Sequence, residues 1–314
     1  MTATNPPWTA EVRIDLETAT RVIGRQFPEL HPLEIEIKGE GWDNVVLQIN
    51  HEYLFRFPRR KLAVELLENE GLVLPKIRNR LPLSIPELIF RGQPDNEFPW
   101  PFLGYRHLEG TTACRAHLSE QERIEMAPTL ATFLSTLHKI SEQEAIELGA
   151  VPDRLGRLDV IKRIPQMADY LSKLKDLNLF PDLDSLHAIM EQSKSCVDTG
   201  SKTLVHGDLY VRHLLIGSNR TLTGIIDWGD VHFGNPAVDL SVIFTVLPPH
   251  AHKLFFDVYG EISNETWLLA RFRSLVSGFV TTVYAHSIGD TDLLQEGLIG
   301  LRHLSQHVQR QYQT

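Results

Sequence analysis

The chain has 314 residues, which suits two lobes around one cleft better than a single small core. Its 42% hydrophobic and 23% charged residues are ordinary for a globular protein, and a net charge of −9 argues against nucleic acid or an anionic membrane as a partner. Two widely separated cysteines, Cys114 and Cys196, exclude a disulfide framework and a cysteine zinc site.

The first residues, Met1-Thr-Ala-Thr-Asn-Pro-Pro-Trp8, lack the basic patch and apolar run of a signal peptide, and no uncharged apolar stretch is long enough to span a bilayer. A cytoplasmic monomer is the expectation. An amphipathic helix is predicted from Asp15 to about Gln26, with Asp15 as N-cap and Leu16, Ala19, Val22 and Ile23 as its apolar stripe. The period then shortens to two. Leu33, Ile35 and Ile37 read as one strand, Val45, Leu47 and Ile49 as a second, and Tyr53, Phe55 and Phe57 as a third. Asn50-His51-Glu52 is the turn between the last two, and Gly39-Glu-Gly-Trp-Asp-Asn44 joins the first two. A helix follows from Leu62 to Arg80, bent at Pro75, and then strands at Leu88 to Arg91 and Phe102 to Leu108. Beyond Glu109-Gly110 the pattern turns helical. Ser119 and Glu122 form a capping box for a helix carrying Ile124, Leu130, Leu134 and Leu137. Further helices are expected over Leu158 to Leu177 and Leu183 to Met190, then a β-rich insert over Leu204 to Asp230, then helices to the C-terminus. The fold class is α+β: a sheet lobe with one main helix over residues 1–108, and a larger helical lobe with a buried β-hairpin over residues 109–314.

The chemistry concentrates in Leu204-Val-His-Gly-Asp-Leu-Tyr-Val-Arg-His-Leu-Leu-Ile216 and Thr223-Gly-Ile-Ile-Asp-Trp-Gly-Asp230. Leu214 to Ile216 and Thr221 to Ile226 are the arms of a hairpin turning at Gly217-Ser-Asn-Arg220, which pairs positions whose numbers sum to about 440. His213 and Asp227 meet that sum, so the two side chains are expected side by side at the open end, where an imidazole and a carboxylate can hold a metal ion. Asp208 stands five residues before His213, the interval that separates the base from the first metal ligand in the protein-kinase catalytic loop.

These segments, with Gly39-Glu-Gly-Trp-Asp-Asn44 and Leu54-Phe-Arg-Phe-Pro-Arg-Arg60, resemble the aminoglycoside phosphotransferase superfamily from about Leu33 onward. His206-Gly-Asp-Leu-Tyr and His213 resemble its macrolide 2′-phosphotransferase branch, and the front half resembles the aminoglycoside 2″-phosphotransferases. The resemblance implies a bilobal protein-kinase-like fold, ATP or GTP as donor, Mg2+ as cofactor and a small-molecule hydroxyl acceptor. It implies Asp208 as catalytic base and His213 and Asp227 as metal ligands. Gly41, Asp43, Asn44, Arg56, Glu70, Arg106, His107 and Leu108 become the nucleotide-binding set, with Glu70 as ion-pair partner of Arg56 and the backbone of Arg106 to Leu108 reading the base. Arg56 departs from the pattern, standing where many kinases have lysine. Asp230 is a candidate acceptor-binding acid, and Asp239 in Asn235-Pro-Ala-Val-Asp239 matches a structural aspartate.

The stretches Trp267 to Gly289 and Leu240 to Phe256 contain no acid, which suits a macrolide-like acceptor better than a polycationic aminoglycoside. Two other readings differ in class. A catalytically inactive nucleotide-binding module is motivated by Arg56 and His213 but leaves Asp208 and Asp227 without purpose. A metal hydrolase using His206, Asp208 and His213 leaves the sheet lobe without one.

Overall fold

The carboxylate of Asp15 accepts the amide of Thr18 at 2.8 Å and starts α1 (Leu16–Gln26), whose Ala19, Val22 and Ile23 face the sheet core. The structure, a computed structural model, describes residues 10–41 and 43–311; Trp42 of the Gly39–Asn44 motif and the N-terminal residues 1–9 lie outside the described residues. The chain forms two compact units. One takes the chain up to Asn79 with Ile85–Leu108 and Trp228–Asp230; the other takes Arg80–Ser84, Glu109–Asp227 and Val231 onward.

The first unit is an antiparallel five-stranded sheet, β1 (Ile35–Glu40), β2 (Asn44–Ile49), β3 (Tyr53–Pro58), β4 (Glu87–Gly92) and β5 (Phe102–Arg106), in the order β1-β2-β3-β5-β4. Asn50 and His51 both take positive φ, 52° and 57°, which matches the turn to the twist of β2 and β3. The Asn50 side chain accepts from the amide of Glu34 and donates to the carbonyl of Leu30, both at 2.8 Å. Helix α2 (Lys61–Ile77) contains Pro75 and continues past it, one turn before its end. The core is aromatic. Phe57 and Phe102 stack at 4.3 Å, and Phe27, Phe55, Phe90 and Phe98 pack around them.

In the second unit β6 (Thr111–Thr112) precedes α3 (Glu120–Glu125), whose capping box forms as expected. The single helix expected from Ser119 is instead α3 and α4 (Ala127–Leu137), interrupted at Met126, because Pro128 has no amide to continue the ladder. Next come α5 (Glu142–Leu148), β7 (Val151–Pro152), α6 (Val160–Asp176), α7 (Leu183–Ser193), β8 (Thr203–Val205), β9 (Leu214–Ile216), β10 (Leu222–Ile225) and β11 (His232–Gly234). Helices α8 (Ala237–Val246), α9 (His252–Tyr259), α10 (Asn264–Ile288) and α11 (Thr291–Gln311) complete it. The insert expected as one β-rich body is split between two small sheets, β10-β9-β6 and β7-β11-β8. Helix α8 is buried along nearly its whole length, which explains why, apart from Asp239, it carries no charge and is largely apolar on every face. A buried ion pair, Arg123 to Glu296 at 2.6 Å, ties α3 to α11. No helix among the described residues is long and apolar enough to cross a membrane.

Gly92 lies directly opposite Phe102 in the β4–β5 pair, and a Cβ there would stand 2.1 Å from the ring. Gly92→Ala therefore forces the ring off its stack with Phe57. We expect a loss of about 1–3 kcal/mol in urea unfolding, typical of overpacking, and partial recovery when Phe102→Leu is added. Wild-type stability in Gly92→Ala contradicts this packing.

Candidate active site

The loop between β8 and β9 is held by one buried carboxylate. Asp239, in the first turn of α8, accepts the amide of His206 at 2.7 Å, the amide of Gly207 at 2.9 Å and the ring Nε2 of His138 at 3.2 Å. Gly207 takes φ +91°, which a side chain would oppose. Burial alone would raise the Asp239 carboxyl; its hydrogen bonds and the nearby imidazoles outweigh that and hold it below the ordinary carboxylate range. The His138 ring is fixed in turn by the Tyr259 hydroxyl at 2.8 Å.

From His206 a chain of hydrogen bonds runs to the reactive groups and closes on itself. His206 Nδ1 accepts the amide of Asp208 at 3.3 Å, and Nε2 donates to the carbonyl of Ile226 at 3.0 Å. That pattern assigns the neutral ring, and burial holds its pKa below the ordinary value. The amide of Ile226 donates to the carbonyl of His213 at 3.0 Å, and His213 Nδ1 donates to the carbonyl of Asp208 at 2.7 Å. The β9–β10 register pairs Ile225 with Leu214 and Gly224 with Leu215, so the next step sets Ile226 opposite His213, and Asp227, one residue further, lies with its Oδ2 3.2 Å from His213 Nε2. Asp227 sits at φ +64°, an uncommon conformation for aspartate that turns the chain out of β10.

The His213–Asp227 pair fits a divalent cation. Because Nδ1–H is given to a carbonyl, Nε2 is the lone-pair atom, and it faces a carboxylate oxygen. Two lone pairs at that distance require a positive charge between them, either a second ring proton or a cation. Burial pulls the His213 pKa down, but the carboxylates of Asp227 and Asp208 outweigh it and raise the pKa above its ordinary value. Among the described residues no cluster of three or more potential metal-binding side chains occurs, so phosphate and water oxygens would complete such a site. Asp208 itself is 39% exposed; its Oδ1 lies 3.4 Å from Arg273 Nη2, and its Oδ2 4.0 Å from His213 Nδ1.

In the first unit Arg56 Nη1 contacts both carboxylate oxygens of the fully buried Glu70, at 3.0 and 2.8 Å. Trp228–Asp230 belongs to this unit, and a Cβ built on Gly229 would lie 3.6 Å from Arg56 Nη2. Asp230 is half-buried there. Gly41 and Asp43 are tied into the β1–β2 turn. The amide of Gly41 donates to the carbonyl of Asn44, its carbonyl accepts from Arg59, and Asp43 pairs with Arg60. Asn44 is nearly buried, and its side-chain oxygen has no partner among the described residues. At the end of β5, the Arg106 side chain turns to Glu52 and Glu87, and the amide of His107 donates to the carbonyl of Glu52 at 2.7 Å. The amide of Leu108 has no hydrogen-bond partner among the described residues, so within the segment expected to read a base it is Leu108 that offers a donor.

The structure thus brings together Asp208, His213 and Asp227 in one unit and Arg56 and Glu70 in the other. Sequence reasoning missed His138 and the contact of Arg273 with Asp208. For Arg273 a signal existed: a guanidinium in the acid-free stretch from Trp267 to Gly289 has no acid one turn away on its own helix.

A family model described as "Phosphotransferase enzyme family" matches residues 34–273. Among curated proteins, the uncharacterized protein YcbJ of Bacillus subtilis (strain 168) is 24% identical over 230 residues, covering 68% of this chain and 70% of the relative. Among solved structures, the GDP complex of wild-type aminoglycoside 2′-phosphotransferase-IIIa aligns with a TM-score of 0.67 at 22% identity, covering 94% of this chain and 99% of that one. Macrolide 2′-phosphotransferase type I aligns with a TM-score of 0.58 at 20% identity, covering 92% and 97%. The fold is therefore that of these kinase-like proteins.

The buried carboxylate generates a test with a defined pH sign. In Asp239→Asn the loop amides lose a charged acceptor. We expect a stability loss of about 1.5–3 kcal/mol, the range for hydrogen bonds to a charged group. Because the folded pKa of Asp239 is depressed, the wild-type advantage is fully present above the unfolded value of about 3.8 and shrinks as the pH falls below it. Urea titrations of both proteins at pH 7, 5 and 3 measure this; a gap that widens in acid contradicts the assignment.

Proposed function

The chain belongs to the phosphotransferase enzyme family, and from that premise we propose that it transfers the γ-phosphoryl group of ATP or GTP to a hydroxyl of a small molecule. The observation that carries the reading is the closed set of hydrogen bonds that fixes Asp208, His213 and Asp227 relative to one another. Phosphoryl transfer is mostly positioning and charge neutralisation, and a rigid loop supplies both.

In this reading Asp208 accepts the hydroxyl proton while the acceptor oxygen bonds to the γ-phosphorus. The bond to the β-phosphate oxygen breaks, and the nucleoside diphosphate leaves. Arg56, held by Glu70, carries positive charge for the α- and β-phosphates. Leu108 donates its amide to the base, and Gly41, Asp43 and Asn44 shape the turn over the phosphates. His213 and Asp227 would hold Mg2+, which when bound would neutralise phosphate charge. Asp230 is assigned to the acceptor.

A macrolide-like acceptor is favoured over a polycation. The part of α8 from Leu240 to Val246 does not contribute to that choice, since burial explains why it carries no acid. The support is α10, which has no Asp or Glu from Trp267 to Gly289 and directs Arg273 to Asp208.

The direct test is a phosphorylation screen of erythromycin-like and kanamycin-like acceptors with ATP and with GTP. Asp208→Asn is expected to keep nucleotide affinity and lose turnover by ~10²–10⁴-fold, the usual worth of a positioned base. Near-wild-type turnover in that variant removes Asp208 from the reaction. Robust turnover of kanamycin with none of the macrolide overturns the acceptor choice.

His213 adds a pH signature. Imidazole binds a cation only when neutral, and the His213 pKa is raised, so apparent Mg2+ affinity should weaken as the pH falls through a window above ~6.5. His213→Asn should flatten the dependence. Manganese should support turnover at least as well as magnesium, since nitrogen ligands suit it better. Metal titrations that superpose for the two proteins at every pH sink the assignment.

A further inference from the structure

Helix α11 comes close to α10 and α8 because two of its residues have no side chain. A Cβ on Gly297 would stand 2.5 Å from Thr282 Oγ1, and one on Gly300 would stand 3.0 Å from the Thr245 Cβ. The approach carries Glu296 up to the loop between β8 and β9, where Tyr210, Ser277, Thr281 and Glu296 line a cavity of about 20 Å³. Glu296 Oε1 accepts from Arg123 Nη2 at 2.6 Å, and the carboxylate side chain is 6% exposed. Its Oε2 and the hydroxyls of Tyr210, Ser277 and Thr281 have no hydrogen-bond partner among the described residues. The Tyr210 ring packs edge-on against the His213 ring, with 4.5 Å between centroids and 73° between planes.

We propose that Tyr210 is the positioning residue of the metal ligand His213, and that its hydroxyl is held by a water shared with Glu296, Ser277 and Thr281. The inference rests on His213 as a metal ligand in the phosphotransfer reading. One water needs roughly 10–15 Å³ and about two to four polar partners. The cavity meets both demands. Arg123 already answers the Glu296 charge, so a neutral occupant suits the cavity better than a second cation. His213 Nδ1 donates to the carbonyl of Asp208 at 2.7 Å, which fixes the ring at one point. The edge of Tyr210 supplies a second point and so sets where Nε2 faces Asp227. A phenol free to turn would not hold that point. A phenol tied through its hydroxyl to a buried carboxylate does, in the way that outer partners orient a ligating imidazole.

The experiment titrates Mn2+ into the full chain at one GDP concentration and reads free Mn2+ by electron paramagnetic resonance, with urea unfolding to confirm that each variant is folded. Tyr210→Phe keeps the ring and loses the hydroxyl. It should weaken Mn2+ binding about tenfold, the low end for a group that orients a metal ligand. Glu296→Gln should weaken it as well, and adding Glu296→Gln to Tyr210→Phe should cost no further affinity, since both act through one water. Should Glu296→Gln fail to fold without its pair to Arg123, Thr281→Val takes its place in the cycle. Wild-type Mn2+ affinity in Tyr210→Phe overturns the positioning role. Wild-type affinity in Glu296→Gln, or losses that add in the double variant, overturns the link through the cavity. A wild-type protein that binds no Mn2+ overturns the proposal together with the metal assignment. Mn2+ binding needs no turnover, so a wild type that binds the metal and phosphorylates no acceptor counts against the phosphotransfer reading alone.

Discussion

The loop between β8 and β9 depends on one buried carboxylate, which lies outside the reaction proposed for it. A loop that carries Asp208 toward solvent does not satisfy its own amides by helix or sheet pairing. Asp239 resolves the conflict by accepting two successive amides, those of His206 and Gly207, from the first turn of a helix that is itself core. The charge survives burial because three hydrogen bonds and two imidazoles surround it. Everything downstream is relayed from that anchor. The His206 ring takes its orientation from the loop, fixes the Asp208 amide with one nitrogen and reaches the β10 strand with the other. The hairpin register then sets Ile226 opposite His213, and Asp227 follows it beside the His213 ring.

A relay of this kind explains why a carboxylate, two imidazoles and a second carboxylate fall within one short stretch. Each backbone link between the loop and the hairpin removes a rotation that would otherwise be frozen only when substrate binds. The entropy of ordering the site is met during folding. Asp227 is held at positive φ within the same frame.

Much of this was legible in the sequence because period and spacing are local. The alternation in β1 to β3, the Asp15 cap and the Ser119 capping box follow from counting along one segment, and the meeting of His213 with Asp227 follows to within one residue, since the strand register runs on to Ile226 opposite His213. The split of the long helix at Met126 was legible too, since Pro128 was in view, but the apolar stripe ran on through it. The short strands β6, β7 and β11 were not legible, because two- and three-residue strands have no period; they exist only through partners far along the chain. The same holds for His138 and Arg273. Their roles come from Asp239 and Asp208, residues 101 and 65 positions away. The acid-free run in α8 resembled an acceptor wall and is core, a distinction only packing can make.

The two departures from the commoner kinase pattern, Arg56 and His213, share a physical logic. Each places a planar group with several fixed donor or acceptor positions where a simpler side chain could stand. Arg56 engages both oxygens of Glu70 through Nη1, so the plane of the guanidinium is oriented by a buried partner. A lysine ammonium at that position would have to divide one nitrogen between Glu70 and any phosphate. His213 is held through Nδ1 by a backbone carbonyl, which fixes both the tautomer and the plane of the ring before Nε2 is used. An asparagine would have a freely rotating amide with no second anchor. In both places the gain is orientation, achieved by tying down one edge of a rigid group.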